Sequence, residues 1–434
     1  MTPRLRFTAL IGADIGSALG SRVSLVAIPW LVLSLHGSAP EMGYAAAAEM
    51  VPYLITSMFL TPVADWFGLR RTSVTCDAGS ALAIGAIAAL PHTGMLALFG
   101  LIAVAGALRG VGDRVKHVLL KPAAQAAGLP MIKVTSWYEG LTRLVTLLGA
   151  PLGGLLIASC GARGAVWVDA ASFAGCASAV LIAVAPSLSG RAGPREPYRQ
   201  ALLGGIRYLR SDRVLSLMLA TVFFLNFFAN AATVVFIPLW ARDVLHSPEA
   251  LGLTLGAFAA GALGGTIGFT RLAPRLRQYP AFLIGALVSC APRLFVLSWS
   301  SSLPLVLAVS LSAGIGLAAV NPVLGVAMYE RIPDALQTRV IGLSTTLAFL
   351  GIPIGAVIGG WAVSGFGLRP SLLGAAGLSL LIGLVPFAAL GAVDLPAPQP
   401  RVAPGEEPPV VVATPAEEPT AALSAPAGPA AEPS

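Results

Sequence analysis

Ionisable side chains set inside long apolar runs are the residues of this chain that could do chemistry. Asp14 and Arg22 lie in the first run, Glu49 in the second, Asp77 in the third, Arg109 and Asp113 in the fourth, Glu139 and Arg143 in the fifth, and Arg293 in the ninth. A charge at the centre of a bilayer costs about 2.5 to 3.5 kcal/mol on insertion scales, so each needs a partner or a function. Arg109 and Asp113 are four residues apart, as are Glu139 and Arg143. That spacing puts each pair on one helix face, where it can neutralise itself. Glu49 has only Ala45 to Ala48, Met50 and Val51 around it on its own helix. It either exchanges a proton or meets Arg22 or Arg109 from another helix. Asp14 is a second proton-exchange candidate, beside Arg109 and Asp113, and Asp77 is expected to stay structural near Arg70 and Arg71. All four histidines sit at the ends of runs or in loops, so proton exchange is expected to use a carboxylate.

Uncharged polar groups mark a second set of candidates. Asn226 and Asn230 share a helix face among Phe223, Phe224, Phe227 and Phe228. Amides among aromatics suit an amphipathic organic ligand, the apolar area giving affinity and the amides orientation; the same residues also serve plain interhelical hydrogen bonding and lipid contact. Arg22 and Asn321, the latter beside Pro322, complete the candidate cavity. Gly149, Pro151, Gly153 and Gly154 form a packing or hinge cluster.

The elements that position these residues follow from composition. Of 434 residues, 56% are hydrophobic and 11% charged, against about 25% charged in soluble domains. Mean hydropathy is +0.82. The apolar runs are near the roughly 20 residues that cross 30 Å of hydrocarbon as helix. They predict spans at 8–35, 42–64, 72–91, 94–118, 136–159 and 164–186, then 214–241, 248–270, 279–299, 303–328, 339–363 and 369–392. The expected fold is therefore all-α and membrane-integral, with twelve transmembrane helices in two six-helix bundles. Residues 1–186 form the first bundle, 187–213 a polar central loop, 214–393 the second bundle, and 394–434 a Pro/Ala-rich tail expected to be disordered.

The net charge of +7 sits in short loops at the ends of spans and so reports topology and not nucleic-acid binding. Cations cluster on one side, at Arg4, Arg6, Arg70, Arg71, Lys116, Lys121, Lys133, from Arg191 to Arg213, from Arg271 to Arg277, and at Arg331 and Arg339, with only Arg163, Arg242 and Arg369 opposite. Both termini are expected to be cytoplasmic, in a plasma (inner) membrane protein. Four scattered cysteines show no metal or disulfide spacing. No phosphate loop or nucleophile–base set is present, so neither catalysis nor a cofactor is expected. The halves repeat: IPWLVLSLHGSAPEMG from Ile28 matches IPLWARDVLHSPEALG from Ile237, and LGAPLGG from Leu148 matches LGIPIGA from Leu350. Two matched pairs at similar spacing indicate duplication.

Between the second and third spans lies TPVADWFGLRR, from Thr61 to Arg71. Asp65, Gly68, Arg70 and Arg71 match a loop signature of the major facilitator superfamily, with Thr61 and Trp66 departing from it. With the twelve-helix duplication, Arg109, the Gly149 to Gly154 cluster and the Asp169 to Phe173 run, the chain resembles that superfamily and is most similar to its macrolide and siderophore exporters. The resemblance implies two bundles rocking about a central cavity, a gating role for the Asp65 to Arg71 loop against the cytoplasmic ends of the second bundle in the outward-facing state, and a pKa-modulating role for Arg109. It implies secondary active export of amphipathic or hydrophobic small molecules, coupled to protons, by a monomer in the lipid bilayer. The alternatives are a lipid or lysophospholipid mover without proton coupling, an importer, and a non-transporting membrane receptor.

Overall fold

The computed structural model describes residues 2–36, 38–59, 67–90, 94–184, 207–332 and 334–390. Asp65, Thr61, Trp66, most of the central loop and the tail lie outside these, as do the side chains of Glu139 and Arg143. The described residues are all helix and short connections, because a backbone crossing hydrocarbon must satisfy every N–H and C=O within its own segment. The helices are α1 (Pro3–His36), α2 (Ala39–Phe59), α3 (Leu69–Ala89), α4 (Met95–Ala126), α5 (Met131–Ala183), α6 (Arg213–Asp243), α7 (Pro248–Leu272), α8 (Gln278–Trp299), α9 (Leu303–Arg331), α10 (Asp334–Phe366) and α11 (Leu368–Leu390).

The fifth and sixth predicted spans are the two arms of α5, which fold back at Gly161. Its φ of 74° is the left-handed value that glycine reaches without a Cβ clash, so the chain reverses there with no separate loop. Ten stretches are long and apolar enough to cross a membrane. One of them contains both arms of α5, and the more polar α2, bearing Glu41, Glu49 and Pro52, packs between α4 and α10, which brings the described helical passes to twelve.

Residues 1–395 form one compact unit. The N-terminal helices pack chiefly as α1 on α5, α2 on α4, and α3 on both α4 and α5; the C-terminal ones pack as α7 on α9, α8 on α9 and α11, and α6 on α10. The halves meet where α2 packs on α10 and the first arm of α5 on α7. These contacts lie toward the face opposite the start of α1. There Gly154 and Gly252 bring two backbones together so closely that a Cβ on either would strike the other helix. Without water to drive apolar surfaces together, such close backbone approach is what holds transmembrane helices. Tyr44 on α2 and Trp361 on α10 add a hydrogen bond across the same contact, the indole N–H donating at 2.7 Å.

Candidate transport site

Two groups of buried charge lie in the N-terminal helices. In the first, Arg109 of α4 pairs with Glu49 of α2, and its guanidinium lies 5.8 Å from the centroid of the Tyr53 ring. The expected Arg109–Asp113 pair does not form. Helical spacing permits it, but Glu49 reaches Arg109 from α2 because Gly106 lets α4 lie directly on the Glu49 backbone. Of its two sequence alternatives Glu49 thus takes the second, a partner on another helix.

In the second group Lys116 of α4 is 2% exposed and holds three carboxylates: Asp77 of α3 at 3.2 Å, Asp14 of α1 at 3.3 Å and Asp113 on its own helix at 3.5 Å. Tyr138 of α5 donates its hydroxyl to Asp14 at 2.8 Å, and His117 packs edge-on against the Tyr138 ring. Cys176 and Ser73 close the group around Lys116 and Asp77. One ammonium against three carboxylates leaves an excess of two negative charges when all are ionised. Charge spacing alone makes Lys116 a loop cation and sets Asp77 near Arg70 and Arg71; in the structure Lys116 is buried within the helices and is itself the partner of Asp77. Helix α4 continues to Ala126, well past the predicted end at 118, so Lys116 lies inside the packed bundle and not at its end. The signal was present in the sequence, since Arg109, Asp113 and Lys116 recur at three- and four-residue steps.

Asp169, in the second arm of α5, is a further carboxylate whose sequence context, the Asp169 to Phe173 run, marks the family resemblance and no site. It is 1% exposed and accepts a hydrogen bond from Ser172, and its Oδ2 has no partner.

A cavity of about 700 Å³ opens between the two halves, on the α1-start side of the Gly154–Gly252 contact. Arg22 and Val26 of α1, Thr142, Thr146 and Ala150 of α5, Thr233 of α6, Leu255, Phe258 and Thr266 of α7, and Asn321 and Pro322 of α9 line it. Arg22 is exposed to this space, and a Cβ at Gly149 would collide with the Arg22 side chain, so Gly149 fixes the path Arg22 takes. Gly153 packs on the α1 backbone at Val23, while Pro151 packs against Gly256 of α7. Thr233 falls in a π-helical turn, Ala232–Phe236, where the wider winding breaks the regular register of α6 beside the cavity.

The structure brings Arg22 and Asn321 together in this cavity but not the other amide candidates. The amides of Asn226 and Asn230 donate to the carbonyls of Ala348 and Ile352, each at 2.9 Å. Phe227 is held where its backbone meets Gly355 of α10. The four-residue step is shared by α6 and α10, so these side chains form a packing ladder and are corrected as cavity residues. Of the loop candidates, Gly68 has a φ of 83° just before α3, Arg71 is exposed, and Arg70 donates to the Leu181 carbonyl at 2.5 Å. Arg70 therefore ties α3 to the end of α5 within the N-terminal half in this structure. Asp65 lies outside the described residues.

Two family-model matches, described as Major Facilitator Superfamily, cover residues 10–291 and 243–427. The chain belongs to this superfamily. Relatives include the multidrug efflux pump Tap of Mycobacterium tuberculosis, 30% identical over 400 residues, covering 89% of this chain and 93% of that one. The corresponding pump of Mycolicibacterium fortuitum is 28% identical and covers 88% and 95%. Among solved structures, the nucleoside transporter NupG superposes with a TM-score of 0.74 at 12% identity, covering 89% and 99%. A bacterial homologue of the lysosomal transporter Spinster gives 0.68 at 14%, covering 89% and 96%. At such identities the structural likeness concerns the fold. This major facilitator protein is a multi-pass membrane transporter and not an enzyme.

Proposed function

We propose that this transporter is a proton-coupled exporter of amphipathic small molecules working by alternating access, with both termini cytoplasmic. The observation that carries the reading is the Arg22–Asn321 cavity, large and mainly apolar, beside a carboxylate cluster that has one cation for three acids. Relatives named multidrug efflux pumps, matched over nearly their whole length, support the direction of transport. The cavity lies between two six-helix halves joined through α2–α10 and α5–α7, contacts that could open as the cavity closes. A single chain supplies the whole lining, which suits a monomer in the bilayer.

The proton is carried by the Lys116 cluster. A proton held within the cluster relieves its excess of negative charge, whereas Glu49 is balanced by Arg109. Asp113, with 40% of its side chain exposed, connects the group to water. Tyr138 then links Asp14 to α5, the helix that carries Thr142 and Thr146 of the cavity wall.

The test is transport in proteoliposomes with an imposed pH gradient, comparing the native chain with Asp14→Asn and Glu49→Gln. Gradient-driven movement should be lost in Asp14→Asn while downhill movement of substrate persists. Accumulation that ignores the gradient in the native chain would sink the coupling, and loss in Glu49→Gln alone would move the site to the Arg109 pair.

A further inference from the structure

We infer that the cavity is built for an anionic amphiphile, an apolar body bearing one carboxylate, sulfonate or phosphate that meets Arg22. The inference rests on reading the Arg22–Asn321 cavity as the transport site and adds the sign of its ligand.

The charge distribution around the cavity carries the argument. Arg22 is the charged side chain among the described lining residues, and no acid lines the space with it. Among the described residues no hydrogen bond or ion pair engages its guanidinium. The nearest carboxylate group on α2, Glu49, is committed to Arg109. A cation left without a partner in the middle of a membrane is expensive unless water or a ligand meets it, and here it faces an open cavity.

A second cation reinforces the sign. Arg293 of α8 is 5% exposed, and its guanidinium lies 4.9 Å from the centroid of the Phe258 ring, which itself lines the cavity. Its Nη2 has no hydrogen-bond partner, and no ion pair is formed by it among the described residues. An aromatic face offsets only part of a buried charge. The wall at Phe258 is thus positive, with no acid among the described lining residues, and the field of Arg293 reaches the cavity through a medium of low dielectric. The remaining polar groups there, Thr142, Thr146, Thr233 and Asn321, are hydroxyls and an amide that can donate to anionic oxygens. Among the described residues the acids of the N-terminal half sit off this lining, Asp14, Asp77 and Asp113 on Lys116 and Glu49 on Arg109. The two arginines, without an acid partner among the described residues, are therefore at the cavity, and the acids paired with Lys116 and Arg109 are off its lining.

The test uses the full chain in nanodiscs and a matched pair of probes sharing one apolar body, pyrenebutyrate and pyrenebutyltrimethylammonium, with pyrene-labelled lysophosphatidylglycerol as a lipid source of the same charge. The anion should bind at least tenfold tighter than the cation. Arg22→Gln should erase that preference, Arg22→Lys should keep it, and Arg293→Gln should weaken it, all in variants that elute as monodisperse protein. Binding of the lysolipid but not of pyrenebutyrate would support the same charge chemistry and assign the anion to a lipid headgroup. Equal or tighter binding of the cation, or a preference that survives both Arg22→Gln and Arg293→Gln, overturns the inference. Transport of the same probes in proteoliposomes separates the two readings. If the anion binds selectively but nothing moves, the exporter reading fails and the charge assignment stands; if both probes move alike, the charge assignment fails and the exporter reading stands.

Discussion

Replacing Lys116 by methionine is the most informative single perturbation of the N-terminal half. The two side chains have similar length and volume, so packing survives, but the ammonium that Asp14, Asp77 and Asp113 share at 3.2 to 3.5 Å is lost. Removing one partner of a buried ion pair costs about 3 to 5 kcal/mol, because the remaining charge stays buried and uncompensated. Here the deficit falls on Asp77 most heavily, since its side chain is 3% exposed, whereas Asp113 can turn to water. Lys116→Met should therefore lower the apparent melting temperature of the purified protein markedly. Asp77→Asn placed on top of it should restore part of the loss, although Asp77→Asn alone destabilises the native chain. A double-mutant cycle on melting isolates the pair, and a coupling energy of about 1 to 3 kcal/mol is expected for groups in one network. A cycle that closes to zero, with Lys116→Met as stable as the native protein, would show that Lys116 is not the cation holding α1, α3 and α4 together.

Other consequences can be measured alongside. Asp212 caps α6 by accepting the Leu215 N–H at 3.0 Å and takes a two-point bond from Arg331. Burial would raise its carboxyl, but the Arg331 guanidinium and the Leu215 N–H outweigh burial and hold it below the usual carboxylate range. Its contribution should be complete above the unfolded value of about 3.9 and disappear as pH falls through the lower folded value, so the native chain should lose its melting advantage over Asp212→Asn below about pH 4. Asp212→Ala, which also removes the cap, should cost about 0.5 to 2 kcal/mol for the cap in addition. Asn226→Leu and Asn230→Leu should each lower stability by about 0.6 kcal/mol, the mean for hydrogen bonds between transmembrane helices, while probe affinity stays unchanged; a fall in affinity without a fall in stability would return them to the cavity. Gly154→Val should force α5 from α7 at Gly252, seen as raised labelling of cysteines placed along that contact, and unchanged labelling would refute the tight approach.

Much of this was legible in the sequence, for a physical reason. A bilayer penalises each polar group, so run length alone predicts the spans, and duplicated Ile-Pro and Leu-Gly motifs predict two related halves. The family and its transporter class followed from the Gly68, Arg70 and Arg71 loop, Arg109 and the Gly149 cluster. The same penalty picked out which charges need an explanation, and all of those whose side chains are described do lie within the helices. What the sequence left open was who meets whom. Arg109 had Asp113 one turn away and Glu49 on another helix, and only the approach of α4 to α2 decided for Glu49. Lys116 read as an interfacial cation because its run of apolar residues ends there, yet α4 runs on and α1 and α3 bring two aspartates to it. Asn226 and Asn230 carried the same residue types in either role; the matching step of carbonyls on α10 made them a packing ladder. Local pattern thus determined which segments cross and which residues are costly, because each of those facts belongs to one helix. Pairing is a property of two or more helices at once, so the placing of Arg22 at the cavity and of three acids on Lys116 was set only when the helices packed.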